Sequence, residues 1–354
     1  MPARRPAGPG SLDSVEGGVA RAAPRCSDGS RQVNCLPMIP AEGHFVWIGP
    51  ALPWAYVWAI RSAALASDLD LITLHHTDEL QSGPGLELLG DTPRVCLQRI
   101  DPLEWMREVG DELGLGAALT ELYRRVEHPV ARSNVLRAAV LHARGGIYLD
   151  LDTVTIRSLR ALLEDRQFLG HEHIVWPGFV RRSSSRWLKL RSLTLSTVRD
   201  GLRRWPGGYR YFRSIAGWYY HGINGAVAGA EAGAPLMAQY LAAMVAQPPD
   251  RQLAKHGLGT HLLQQQVEQY PGDDLKIHPP ELFYPLPPEI AEHWFRTGRR
   301  PCLDLALHPA TRIVHWYASA GAKPFLSVVS PAYVQQHATV QLYSALVARF
   351  APTP

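Results

Sequence analysis

Short apolar runs alternate with stretches of helical periodicity along most of the chain. The run His44–Gly49 predicts a buried strand closed by a Gly-Pro turn signal. After Pro53, apolar residues recur at helical spacing until a second run at 69–75 predicts another strand, and 94–100 predicts a third. Because strands alternate with helices, the pattern predicts an α/β fold with a mainly parallel sheet.

The alternation of predicted strands and helices continues after residue 100. Asp101 suits a helix N-cap, and helical spacing then extends to Ala143. Further helices are predicted over 235–246, 259–269 and 332–350, and short strands over 275–278 and 312–317.

The two ends of the chain differ in composition. Residues 1–36 are rich in Pro, Gly, Ala, Ser and Arg and lack apolar periodicity, so they are predicted to be a disordered tail. Residues 37–354 are predicted to form one domain. Within it, residues 176–220 have a basic and aromatic character of their own and are interpreted as a helical insertion.

Overall composition narrows the class of protein. With 46% hydrophobic and 19% charged residues the chain is expected to fold, and a net charge of +4 is too small to indicate a nucleic-acid partner. It contains no long apolar run and no signal-peptide pattern, so a cytoplasmic location is the default expectation. The four cysteines lack C-x-x-C spacing and are expected to be reduced thiols.

The most informative stretch runs from Arg144 through two glycines and an apolar run to two acids. The glycines allow positive φ and end a helix, and the apolar run predicts a strand that ends in Asp150 and Asp152. Alternation along a strand places both carboxylates on one side and Leu151 on the other. Open α/β sheets bind ligands at this edge, where two carboxylates suit Mg²⁺ or Mn²⁺. A solvated turn fits the spacing alone equally well.

Three blocks in order resemble one enzyme family. Residues 132–137, Arg-Ser-Asn-Val-Leu-Arg, and 144–152, Arg-Gly-Gly-Ile-Tyr-Leu-Asp-Leu-Asp, resemble the S-D-x-x-R and G-G-x-Y-x-D-x-D blocks of DXD-containing GT-A glycosyltransferases. The group is that of the Och1-like and capsular polysaccharide transferases and the clostridial glucosylating toxin domains. The run His44–Gly49 resembles that family's first strand. The resemblance implies a GT-A, Rossmann-like fold with a helical insertion.

The resemblance also implies a nucleotide-sugar donor site. Trp47 would stack on the nucleobase with Ile48 beside it, Arg137 would contact the donor sugar or diphosphate, and Tyr148 would line the pocket. Where the family usually has Asp, this chain has Asn134, which can hydrogen-bond a sugar hydroxyl but carries no charge.

Metal ligands are implied in the same way. Asp152 would ligate Mn²⁺ or Mg²⁺ directly and Asp150 would hold the ribose or a metal-bound water, so both acids join Arg137 as the implied catalytic set. The segment Ile313–Ser319 resembles the family's closing segment, which implies His315 as a further metal ligand and Ser319 as a lid contact. A histidine at a strand end also fits a purely structural role.

Two further segments are predicted to bind sugars or the acceptor. Asn224 lies in a stretch that resembles the one facing the donor sugar. Between Arg181 and Arg213 there are ten basic residues and one acid, interleaved with aromatics. Such side chains suit an anionic or glycosidic acceptor, whether small molecule, glycan or protein, and the predicted contacts are Arg203, Arg204 and Trp205. A solvated helix surface and peripheral contact with an anionic membrane are the alternatives.

The predicted function is metal-dependent transfer of a hexose from a nucleoside diphosphate sugar, expected to be a UDP-sugar, to an acceptor hydroxyl with retention. The first alternative is a haloacid-dehalogenase-like phosphatase with Asp150 as nucleophile and 273–274 as its later acidic motif. That nucleophile strand normally opens its domain, whereas here a long ordered segment precedes it. The second alternative is a carbohydrate- or nucleotide-binding module with an inactive metal site.

Overall fold

The computed structural model describes residues 38–298 and 300–353, so the predicted disordered tail lies outside the described residues. The strands are β1 Glu42–Trp47, β2 Leu71–His76, β3 Val95–Arg99, β4 Gly146–Leu149, β5 Thr153–Thr155, β6 Gln167–Ile174, β7 Tyr220–Ala230, β8 Leu275–His278 and β9 Ile313–His315. The helices of the first half are α1 Trp54–Ala66, α2 Pro84–Gly90, α3 Pro102–Glu112, α4 Ala117–Arg125 and α5 Pro129–Arg144. Those of the second half are α6 Gly178–Arg182, α7 Arg186–Arg204, α8 Tyr209–Ile215, α9 Pro235–Ala246, α10 Pro249–Leu253, α11 Thr260–Gln269, α12 Pro280–Phe283, α13 Leu303–Ala306, α14 Pro331–His337 and α15 Leu342–Phe350.

Seven strands of the described chain form one sheet in the order β3-β2-β1-β4-β7-β6-β8. Among them β7 alone runs opposite to its neighbours β4 and β6, and the other pairings are parallel. The predicted α/β class with a mainly parallel sheet is therefore confirmed. Strands β5 and β9 form a separate antiparallel pair.

Both faces of the sheet are covered, as parallel sheets require. Alternation along β1 shows how the sequence achieves this: Phe45 packs into the cluster that holds Trp58 of α1, and Val46 packs into the cluster that holds Leu136 of α5. The apolar run of β1 is continuous because each face has its own core.

Element prediction was wrong at the C-terminus for a tertiary reason. The single helix predicted over 332–350 is two helices, α14 and α15, separated at Gln341. The Gln341 side chain is buried and donates to the Phe295 carbonyl at 2.9 Å and to the Tyr333 hydroxyl at 2.7 Å. Its extended backbone (φ −139°) ends the helical path there.

Strands β6 and β7 were not predicted as strands. The chain of β7 is rich in glycine and alanine, which gives no strand periodicity, and β6 is bulged between Leu169 and Gly170 where it pairs with β7. In the part of the chain that the structure describes, each helix is too short or too polar to cross a lipid bilayer.

The turn from α5 into β4 depends on two glycines with positive φ, Gly145 at 70° and Gly146 at 88°. A Cβ on Gly146 would lie 2.6 Å from Nε2 of His44 and 2.8 Å from the carbonyl oxygen of Glu42. This close approach sets where β4 begins, and hence where it ends at the acidic pair.

We expect Gly146→Ala to lower the free energy of unfolding by at least about 2 kcal/mol, because it adds both backbone strain and overlap. Gly90→Ala is the matched control, since a Cβ there meets no atom within 4 Å and φ is not positive. Urea denaturation of both variants is the measurement. Equal stabilities would contradict this account of the turn.

Candidate active site

The acidic pair lies at the carboxyl edge of the sheet, directly after β4. Sequence alternation predicted both acids on a strand, but β4 ends at Leu149 and residues 151–152 form a turn before β5. The turn is fixed by the Asp150 N–H, which donates to the Ala226 carbonyl at 2.8 Å, and by the Thr153 hydroxyl, which donates to the Asp150 carbonyl at 2.7 Å. The two carboxylates still face one place.

Asp150 is held by a buried arginine and a tyrosine. Arg137 Nη2 donates to Asp150 Oδ1 at 2.6 Å, and the Tyr148 hydroxyl donates to the same oxygen at 2.9 Å. The guanidinium also lies 4.6 Å from the centre of the Tyr148 ring. Burial raises the pKa of Asp150 above its ordinary value although Arg137 opposes the change, and the charge of Asp152 raises it further.

Asp152 is held by the segment that follows β9. His315 Nε2 lies 3.0 Å from Asp152 Oδ1, and the Ala318 N–H donates to Oδ2 at 2.7 Å. Burial opposes ionisation of Asp152, but these two partners lower its pKa, and Asp152 in turn raises the pKa of His315 against the effect of burial. Each partner therefore favours the charged form of the other.

Tyr317 bends the chain between these contacts. Its backbone is left-handed (φ 54°), an uncommon conformation for an aromatic residue, and it leads into a π-helical turn at Ala318–Ala322. The bend aims the Ala318 N–H at Asp152 and the Tyr317 hydroxyl at Glu172, to which it donates at 2.9 Å.

Sequence reasoning missed Glu172. It lies near the carboxyl end of β6 and accepts a hydrogen bond from Asn224 Nδ2 at 2.8 Å as well as the one from Tyr317. Burial raises its pKa. The only sequence signal was an acid between two histidines in the run 167–174, which was not predicted as a strand. Glu172 orients Asn224, whose Oδ1 accepts from the Ala226 N–H at 2.8 Å.

The predicted base-stacking residue lies at the same sheet edge. Trp47 ends β1 and makes an edge-on contact with Tyr56, 5.3 Å between ring centres, and Tyr56 in turn stacks on Trp316 at 6.3 Å. Burial raises the pKa of Tyr56, and the charges of Asp152 and Asp150 add to this, which places Tyr56 within their field. Tyr56 was not predicted as a site residue.

Helix α5 brings Asn134 and Arg137 to the site with its first half, since it runs back from the carboxyl edge to the start of β4. Asn134 is buried, with Nδ2 3.3 Å from the position that a Cβ on Gly259 would take. Arg137 Nη1 lies 2.8 Å from the corresponding position at Gly225. A side chain at residue 225 would displace the guanidinium.

The remaining predicted site residues are more exposed. Ile48 is half-buried directly after β1, and Ser319 is exposed on the π-helical turn next to Ala318. Arg203, Arg204 and Trp205 lie at the end of α7. Arg203 Nη1 lies 3.7 Å from Glu292 Oε1, and Trp205 stacks on Tyr211 with ring centres 4.9 Å apart. Arg203 and Trp205 thus contact other surface residues and not the acidic pair.

The phosphatase alternative is not favoured by the topology. Strands β4 and β6 are both antiparallel to β7, so they point the same way. Strand β8 is parallel to β6 and therefore also points the same way as β4. Asp150 follows β4, whereas Asp273 and Asp274 precede β8 and lie at the opposite edge of the sheet. They cannot serve as the later acidic motif of a site at Asp150.

The donor set fits a divalent cation. One ligand atom each from Asp150, Asp152 and His315 lies within 4.8 Å of the others. The carboxylate oxygens suit both Mn²⁺ and Mg²⁺ as ligands, and the imidazole nitrogen suits Mn²⁺. Both hydrogen bonds to the Asp150 side chain use Oδ1, so its second oxygen is the one placed to ligate.

We expect Arg137→Met to lower the free energy of unfolding by about 3 kcal/mol at about pH 8, because it leaves Asp150 buried without its cation. The loss should shrink at about pH 5, since the raised pKa lets the folded variant bind a proton that the unfolded chain does not. Urea denaturation at both pH values measures this. The control is Arg132→Met on the same helix, which removes a hydrogen bond to the uncharged Val126 carbonyl. It should lower the free energy of unfolding by the same amount at both pH values.

Comparison with known proteins agrees with this geometry. Residues 101–169 match the family model described as the glycosyltransferase sugar-binding region containing a DXD motif. The matched segment runs from α3 to the first part of β6 and includes Arg137 and both acids. No curated protein matches the sequence significantly.

Several solved glycosyltransferases are similar to the chain. PaToxG glycosyltransferase shares 15% identity over 65% of this chain and 69% of its own (TM-score 0.41). Apo mouse xyloside xylosyltransferase 1 shares 12% identity over 77% of this chain and 97% of its own (TM-score 0.40). The apo bifunctional WbbM shares 12% over 91% of this chain but only 51% of its own length (TM-score 0.46).

The family match covers Arg137, Asp150 and Asp152 of the acidic site but not His315, and the mainly parallel sheet with helices on both faces is the predicted α/β fold. Residues 101–169 are therefore similar to the DXD-containing sugar-binding region of glycosyltransferases.

Proposed function

We propose that the chain transfers a hexose from a UDP-sugar to an acceptor hydroxyl, with retention of configuration and with Mn²⁺ or Mg²⁺ in the acidic cluster. The observation that carries the proposal is the convergence of Asp150, Asp152 and His315 at the carboxyl edge of the sheet, with the buried guanidinium of Arg137 beside them. A divalent cation in this cluster would neutralise charge on the departing diphosphate.

The chain's own residues have separable proposed roles. Arg137, 12% exposed, is held in one orientation by Asp150 and by the Tyr148 ring, and its proposed role is to bind a diphosphate or sugar oxygen with its remaining donors. Trp47 offers an aromatic face to the nucleobase at the end of the neighbouring strand. Ile48 and Asn134 are assigned to the same donor pocket.

Asn224 and Ser319 complete the proposed donor site. Glu172 holds the Asn224 amide in one orientation, which suits recognition of a sugar hydroxyl. Ser319 lies on the turn whose Ala318 N–H binds Asp152, and its proposed role is to contact a bound donor from that turn. The cytoplasmic location expected from the sequence stays a prediction.

We expect Asp152→Asn to raise the Kd for UDP in the presence of Mn²⁺ at least tenfold, because it weakens both the cation site and the His315 contact (order of magnitude from metal-site substitutions, about 10-fold to 100-fold). Isothermal titration calorimetry with UDP and with GDP, first with Mn²⁺ and then with EDTA, is the measurement.

Asp165→Asn is the matched control for that titration. Asp165 also pairs with a histidine, His278, at 3.0 Å, but it precedes β6 at the opposite edge of the sheet. Its substitution should leave nucleotide affinity unchanged. An equal loss in both variants, or wild-type protein that binds neither nucleotide, would argue against the proposed donor site.

The acceptor is proposed to bind near the end of α7, at Arg203, Arg204 and Trp205. Their charge and aromatic surface suit an anionic or glycosidic molecule. Reversing both charges (R203E/R204E) should raise the KM of an acceptor that supports transfer by about tenfold while the UDP Kd is unchanged. Parallel loss of acceptor and nucleotide affinity would show a structural effect instead.

A further inference from the structure

Large apolar side chains are exposed mainly in one segment. Thirteen are exposed among the described residues, and seven of them lie between 176 and 220. These seven are Phe179, Trp187, Leu190, Leu193, Trp205, Tyr211 and Trp218. Contiguous exposed apolar surface on a folded protein marks an interaction site. The insertion is therefore the part of the chain to search for a partner.

Helix α7 carries two apolar stripes and uses only one of them for packing. Leu195 and Leu202 are buried against the domain. A second stripe is exposed to solvent: Trp187 is 75% exposed and Leu190, three residues further along the helix, is 52% exposed. The outer stripe does not contribute to the core.

Neighbouring elements extend the outer stripe into a wider surface. Arg191 lies 4.3 Å from the centre of the Tyr220 ring and donates to the Trp218 carbonyl at 2.7 Å, which brings the exposed Trp218 beside α7. Phe179 makes an edge-on contact with the Tyr220 ring at 5.4 Å. We call the surface formed by Phe179, Trp187, Leu190 and Trp218 the insertion face.

The charges around the insertion face have one sign. Arg186 and Lys189 are exposed on α7 beside Trp187 and Leu190. The single acid between residues 181 and 213, Asp200, lies 3.3 Å from Arg199, which also binds Glu289 at 2.8 Å. The one acid of this segment is thus paired with an arginine, so basic residues dominate the charge that an anionic partner would meet.

We propose that the insertion face binds the surface of an anionic lipid bilayer, with its tryptophan, phenylalanine and leucine side chains in the headgroup boundary and Arg186 and Lys189 on the lipid phosphates. Tryptophan favours that boundary because its ring is apolar and its N–H is polar. Basic residues at the same level add electrostatic attraction. The α7 helix would lie on the membrane, since it is too polar to span it.

Charge also separates this occupant from a second copy of the chain. A symmetric dimer through the insertion face would place its basic residues against the same residues of the partner, which is unfavourable. An anionic bilayer instead pairs every exposed cation with a phosphate. The inference does not depend on the donor site, which lies on other residues.

The test is co-sedimentation of the full chain with vesicles of phosphatidylcholine alone and of phosphatidylcholine mixed with phosphatidylglycerol. The proposal expects binding to the mixed vesicles, weak binding to the neutral ones, and loss at high ionic strength. Trp187→Ser with Leu190→Ser, and separately R186E/K189E, should each lower the partition coefficient by about tenfold or more.

Matched controls use exposed residues outside the insertion. Leu253→Ser with Val328→Ser removes two side chains of similar exposure, 56% and 50%, and R124E/R125E on α4 makes the same change in net charge. Both should bind as wild type does, and all variants should keep the wild-type Tm because the substituted residues are exposed.

Three results would overturn the proposal. They are failure of the wild-type chain to bind mixed vesicles, equal losses in the control and insertion-face variants, and a dimer in sedimentation velocity that W187S/L190S dissociates. UDP affinity measured in the same variants should be unchanged, so failure here is distinct from failure of the proposed donor site.

Discussion

Two carboxylates that share a partly buried pocket impose the constraint on which the site depends. Asp150 is 25% exposed and Asp152 15% exposed, so each must be compensated by nearby charge or donors. The protein gives each acid its own basic partner, Arg137 for Asp150 and His315 for Asp152, drawn from different parts of the chain. This assignment keeps the two acids distinct: the pKa of one is raised and that of the other lowered.

The surrounding fold positions those two basic side chains. Helix α5 delivers Arg137 because its first half lies over the carboxyl edge, and Gly225 on β7 leaves room for the guanidinium. Pairing of β5 with β9 aligns Thr153 with His315 and so carries the imidazole to Asp152. Tyr317 then turns the chain so that a backbone N–H binds the second oxygen of Asp152. Ligand binding at such an edge is general in open α/β sheets.

The insertion, residues 176–220, has one side that packs on the domain and one side that is exposed. Its inner side packs on the domain through Leu195 and Leu202, whereas its outer side exposes tryptophans and arginines that no acid of the segment neutralises. Burial of Leu195 and Leu202 stabilises the fold, whereas the exposed tryptophans and arginines do not contribute to its stability in this way. The acidic site and the outer surface of α7 are therefore separate parts of the molecule with separate chemistry.

The sequence alone determined the α/β alternation, the glycine turn before β4 and the acids after it, because each is a local pattern read within one element. It also indicated Arg137, through a family resemblance. Only the tertiary structure decided that residues 151–152 form a turn, that β7 runs antiparallel, and that Glu172 orients Asn224. His315 and Asp152 are 163 residues apart in sequence, and no local periodicity specifies a contact across that distance. Such contacts arise when packing of the two apolar clusters fixes which chain segments share an edge.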